Sequence, residues 1–178
     1  MSIMKTLFFK AAGAMTIALV TFGSQAASGQ GVVNFSGTVI TAPCGIAPES
    51  ADQSIDFGQI SKSHLEAGGI SVKKNIDIKL VGCDATALAQ TGSAKVTFTG
   101  VTITGAPTEL GTTGSTGTAI VISSEDGSLV SFGNAGSAQK LKVGDNILRY
   151  SAWVKSATGG TLAEGDFASV ANFNITYQ

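Results

Sequence analysis

Lys74-Asn75-Ile76-Asp77-Ile78-Lys79-Leu80 alternates polar and apolar side chains without a break. Ile76, Ile78 and Leu80 face one way and Asn75, Asp77 and Lys79 the other, the period of two of a half-buried antiparallel strand. Residues 146–155 repeat the pattern, with Leu148, Tyr150, Ala152 and Val154 on one face. Arg149, Ser151, Trp153 and Lys155 lie on the other, which puts Trp153 on the wetter side. Further strand runs are residues 37–42, 54–60, 94–104, 118–123, 129–132 and 167–177. In residues 94–104 the apolar register changes from Val96 and Phe98 to Val101 and Ile103 across Gly100, as at a bulge or where a strand bends from one sheet into another.

Turns separate these runs. Glu125-Asp126-Gly127 and Val143-Gly144-Asp145-Asn146 have the residues that tolerate positive φ. The stretch 111–117 is too poor in apolar groups to pack and reads as a loop. Helix is limited to one or two turns, at residues 85–90 behind the N-cap candidate Asp84 with a stop at Gly92, and at the capping-box spacing Ser63-His64-Leu65-Glu66. About eight strand signals in ~140 residues, with no internal repeat, predict an all-β sandwich of Ig-like or related topology.

Composition agrees. The chain has 178 residues, 43% apolar, 13% charged, with 23 glycines and 3 prolines. So few charges argue against a disordered chain, and a Gly/Thr/Val-rich content argues against a helical bundle. Eleven Lys+Arg against twelve Asp+Glu give a formal charge of -1 and no basic field for nucleic acid.

Residues 1–26 read as a signal peptide: Lys5 and Lys10 come first, an apolar run follows, and Ser24-Gln25-Ala26 supplies the small residues for cleavage. Lys10 interrupts a stretch already too short to span a bilayer. The chain is therefore expected to be exported, and nine cations facing twelve anions remain. In that compartment Cys44 and Cys83 are expected to oxidise to one another, closing a loop of about 40 residues worth roughly 4 kcal/mol in the chain-entropy model. A metal would need further ligands, and a single His64 with no C-x-x-C makes zinc a poor alternative.

No catalytic residue stands out. His64 lies in a polar segment with no nucleophile and orienting acid beside it in sequence. Glu49, Asp52, Asp56, Asp77, Asp84, Asp126, Asp145, Glu164 and Asp166 mostly flank turns, where Asp bonds local backbone. No glycine-rich phosphate loop leads from a strand into a helix. Neither an enzyme, a metal nor a cofactor is expected.

The two ends carry the functional information. After Ala26 the chain continues into Gly31, Val33, Phe35, Gly37 and Val39, an extended face of alternate positions before the first cysteine. Periodicity alone leaves open whether it pairs within its own domain. At the other end Phe173, Ile175 and Tyr177 alternate to the penultimate residue. With Ala42-Pro43-Cys44, Ser54-Ile55-Asp56-Phe57-Gly58-Gln59-Ile60, Asp77-Ile78-Lys79-Leu80, Cys83-Asp84 and Gly165 fourteenth from the end, these residues resemble the pilin subunits of chaperone-usher fimbriae. The resemblance is nearest to the major rod subunits of P-type and type 1 pili and covers the whole mature chain.

That resemblance implies an incomplete Ig-like β-sandwich completed by a donor strand from a neighbouring subunit. Residues 1–26 would be the signal peptide, 27–37 the donor-strand extension and 38–178 the pilin domain. Gly31, Val33 and Phe35 would enter the neighbour's groove, whose wall and chaperone-pairing strand would hold Gly165, Phe173, Ile175 and Tyr177. The implied partners are identical subunits in a head-to-tail polymer, a periplasmic chaperone, an outer-membrane usher and a host-cell receptor reached through the assembled fimbria. The function implied is that of a structural major subunit of an extracellular surface rod serving attachment; a minor adaptor or tip subunit, or a glycan-binding adhesin, is the alternative.

Overall fold

The structure is a computed structural model and describes residues 31–178; the expected signal peptide lies outside the described residues. The chain divides into two units, Met1–Thr38 and Val39–Gln178. Of the first, residues 31–38 are described, and they belong to no strand or helix. The second unit is built of β1 (Gly45–Ile46), α1 (Pro48–Ala51), α2 (Lys62–Glu66), β2 (Lys74–Cys83), α3 (Ala85–Thr91), β3 (Ser93–Thr99), β4 (Thr102–Ile103), β5 (Ala106–Gly111), β6 (Thr118–Ser124), β7 (Gln139–Lys140), β8 (Gly144–Ser156) and β9 (Asn172–Tyr177).

These strands form two antiparallel sheets, one ordered β1-β2-β8-β6-β5-β4 and the other β7-β3-β9. The all-β sandwich predicted from the alternating runs is therefore the fold, and the register follows the pattern. Ile76 lies opposite Tyr150 and Ile78 opposite Leu148. Ile78, Leu80, Leu148, Tyr150 and Ala152 are buried against Val96 and Phe98 of the second sheet. The Phe98 and Tyr150 rings meet edge to face with centroids 4.9 Å apart, a favoured aromatic geometry. Trp153 lies half-buried on the opposite face, with the Lys73 ammonium 4.4 Å from its ring centroid.

Gly100 marks the bend anticipated in residues 94–104: β3 belongs to the smaller sheet and β4 to the larger. A Cβ there would run into the Leu110 side chain and lie 3.1 Å from the Val170 carbonyl, so the corner is close-packed around a bare backbone and a side chain must displace its neighbours. α3 forms as expected. Asp84 accepts a bond of 2.8 Å from the Ala87 amide, and Gly92 closes the helix at φ 57°. Cys44 and Cys83 are bridged at a sequence separation of 39, tying the chain before β1 to the end of β2.

Several expectations are corrected. Residues 37–42 and 54–60 alternate, yet neither is a strand, because no neighbouring strand among the described residues supplies a ladder. Of 129–132 only a bridge from Leu129 to Ser123 remains. The cap of α2 is Ser61 rather than Ser63, and its side chain makes no capping bond. Residues 112–117 form the expected loop, exposed at 113–115, but its flanks do pack, through hydroxyls: buried Thr116 lies 2.8 Å from Thr118 Oγ1, and Thr112 donates to the Thr118 carbonyl at 2.9 Å.

Candidate functional site

β9 is the last strand of its sheet, so one edge pairs with β3 and the other has no partner among the described residues. Along that strand and the extended chain leading to it, Phe167, Ser169, Ala171, Phe173, Ile175 and Tyr177 are half-buried while every residue between them is exposed. A settled core strand would bury the first set fully, as β8 does with Leu148, Tyr150 and Ala152. A second extended segment shows the same signature: Gln53, Ile55 and Phe57 are half-buried, with Ser54 and Asp56 exposed between them. Two walls with strand periodicity thus face inward, with no strand between them among the described residues.

Between them runs a cleft in two contiguous sections sharing Ile55 and Phe57. The narrower, of about 560 Å³, is floored by core residues Phe98, Leu110 and Ile122 and flanked by Phe173. The wider, of about 840 Å³, is lined by Leu65, Thr116, Leu162 and Phe167. Phe57 and Phe167, one from each wall, have ring centroids 6.5 Å apart. On β9, the Tyr177 hydroxyl donates to the Cys44 carbonyl at 3.4 Å, and partial burial pushes its phenol above the ordinary value.

The structure therefore brings Phe173, Ile175 and Tyr177 together on one wall with the disulfide near Tyr177. Gly165 is not on that strand. It sits in a bend seven residues before β9 begins, at φ 146°, a conformation that glycine adopts without strain. Val33 and Phe35 of the N-terminal segment are exposed and in no regular strand, so the strand-like reading of residues 31–39 is not realised in the single chain. His64 is exposed, its Nε2 lying 3.1 Å from the Ile70 carbonyl.

Sequence reasoning missed the role of Gln53, Ile55 and Phe57 as the second wall, although the alternation of Ile55 and Phe57 was a usable signal. It also missed Glu109, for which no sequence signal exists. Glu109 is 5% exposed and accepts bonds from Lys155 Nζ (2.5 Å), Thr158 Oγ1 (2.7 Å) and the Thr158 amide (2.8 Å). Burial, the largest single influence, pushes its carboxyl up; the bonds from Lys155 and Thr158 together outweigh it and hold the group below its ordinary value.

A sandwich with a strand-sized gap defines the class of immunoglobulin-like subunits that are one strand short. Known proteins place it further. Residues 33–178 match the family model described as Fimbrial protein. The chain is 51% identical over 179 residues to the Pap fimbrial major pilin protein of Escherichia coli, covering 94% of this chain and 97% of that one. It superimposes on the crystal structure of the P pilus rod subunit PapA with a TM-score of 0.72 at 51% identity, over 77% of this chain and 100% of the other. A chaperone-usher pilus structure concerned with rod uncoiling gives 0.79 at 52% identity, over 84% and 96%. The chain belongs to the fimbrial protein family. Its role is structural, as a major subunit of a chaperone-usher fimbria, exported through the periplasm to the bacterial surface.

Proposed function

We propose that residues 27–37 of one copy fill the cleft of the next, so that identical subunits polymerise head to tail by donor-strand complementation. The observation that carries this reading is the pair of facing walls, Gln53, Ile55 and Phe57 on one side and Phe167 to Tyr177 on the other, both half-buried at alternate positions with no strand between them among the described residues. Strand addition suits such a gap. The edge of β9, unpaired among the described residues, offers main-chain donors and acceptors; Val33 and Phe35 present apolar side chains to the floor in one register, and Gly31 fits where a side chain would clash. Each inserted Val or Phe contributes roughly 1.5–3 kcal/mol by burial.

An open edge over an apolar cleft is an aggregation hazard in a free subunit, so a periplasmic chaperone lends a strand first and an outer-membrane usher organises the exchange. Head-to-tail donation does not close on itself and produces a filament, and the removal of a whole strand at once makes it kinetically durable. In this reading the domain boundary falls between residues 37 and 38, and no catalysis is performed. Host attachment belongs to the assembled fimbria.

Deleting residues 27–35 tests the reading. The shortened subunit is expected to be retained by the chaperone and to accept a donor, yet to add nothing further, so that electron microscopy finds no fibres built from it. Normal fibres from this variant would refute the donor role.

A further inference from the structure

We propose that Glu109 is a positioning residue for strand acceptance: through Lys155 and Thr158 it holds the segment 157–166 that walls the wider section of the cleft. This rests on the strand-acceptance reading above and assigns part of its control to a residue outside the cleft. Segment 157–166 contains neither helix nor strand, so its path depends on a few specific bonds. Glu109 grips its start, accepting from both the amide and the hydroxyl of Thr158 while Lys155 holds the carboxylate. The Ala157 amide donates to the Gly117 carbonyl at 3.0 Å and the Ala163 amide to the Thr116 carbonyl at 3.0 Å. Between these ties, a Cβ on Gly117 would collide with the Thr161 carbonyl, so the segment lies backbone to backbone on its support.

Leu162 and Phe167, which line the wider section, follow Thr158 by four and nine residues. A buried carboxylate paired with a half-buried lysine is a poor way to stabilise a sandwich, since apolar groups of like volume do as well or better. Its geometry here instead fixes one wall, because a carboxylate with three donors has little freedom to shift. Loss of the carboxylate leaves Thr158 untied and lets the Leu162 wall drift into or away from the space a strand must enter.

The mature chain, presented on its periplasmic chaperone, is challenged with a labelled synthetic peptide of residues 27–40 and with two truncations of it, one from each end. Glu109→Gln is expected to capture the full peptide roughly tenfold more slowly than the parent, in the range of coupling carried by such networks. One of the two truncations, the one that no longer reaches the Leu162 section, is expected to be captured equally by both proteins. Equal rates for the full peptide, or equal slowing of every peptide, would overturn the proposal; the latter marks a general loss of fold. If Glu109→Gln does not fold, Thr158→Val decides, with a smaller slowing of the same section-selective pattern expected and parental rates overturning it. If no peptide displaces the chaperone even from the parent, the strand-acceptance reading itself fails and takes this proposal with it.

Discussion

At the scale of single residues, two side-chain arrangements contribute most that is measurable. The Cys44–Cys83 bridge closes a segment with a sequence separation of 39, and one wall of the cleft touches it through Tyr177. Cys44→Ser is expected to lower unfolding free energy by a large part of the roughly 4 kcal/mol of loop closure, read as a lower denaturation midpoint under oxidising conditions. Glu109 makes a second, pH-dependent contribution. Its carboxyl is held below the ordinary value of 4.5, so the stability it confers is fully present above that value and is lost as pH falls through the folded one. Glu109→Gln is expected to cost about 2 kcal/mol at pH 7, the range for hydrogen bonds to a charged group. The gap between parent and variant, followed by denaturant titration, should narrow as the pH drops below the carboxylate range. The disulfide was legible from two cysteines in an exported chain. The Glu109 network was not, because its partners are 46 and 49 residues away and no local pattern connects them.

At the scale of elements, strands were readable where both faces had their final surroundings. Residues 74–80 and 146–155 alternate because one sheet face meets the core and the other meets water, and they fall within β2 and β8. Residues 54–60 alternate equally well and are no strand, since a ladder needs a neighbour and the described residues supply none. Period two reports which side chains face inward, not whether the backbone is paired. Gly100 illustrates the converse, a corner visible as a break in register. Gly100→Val is expected to destabilise by about 1–3 kcal/mol, because the new side chain must displace Leu110 or the chain at Val170. Chemical denaturation of the purified variant measures this, and a parental midpoint would show that the corner relaxes freely.

At the scale of the whole molecule, the proposed strand donation would make the half-buried Phe173, Ile175 and Tyr177 separate the stability of a subunit from that of a filament. Cutting a fully buried Ile to Ala typically costs about 2–5 kcal/mol, and less where the side chain is covered on one side only. Ile175 is only partly covered in the single chain. Ile175→Ala is therefore expected to cost the isolated domain about 1 kcal/mol, and the filament more, once an added strand has covered the site. Comparing thermal unfolding of chaperone-free domain with dissociation of assembled fibres in denaturant checks the difference; equal losses in both would contradict it.

By itself the sequence determined the all-β class, the strands whose two faces contrast, the oxidising compartment in which the cysteines pair and the family resemblance carried by the two ends, all of which rest on local period and on residue identity. Tertiary structure alone decided that residues 53–57 form the wall facing β9, that Gly165 lies in a bend before the strand, and that Glu109 ties down the chain after β8. Those are relations between segments far apart in sequence, and they arise only when the sheets close on each other and leave the cleft between residues 53–57 and β9.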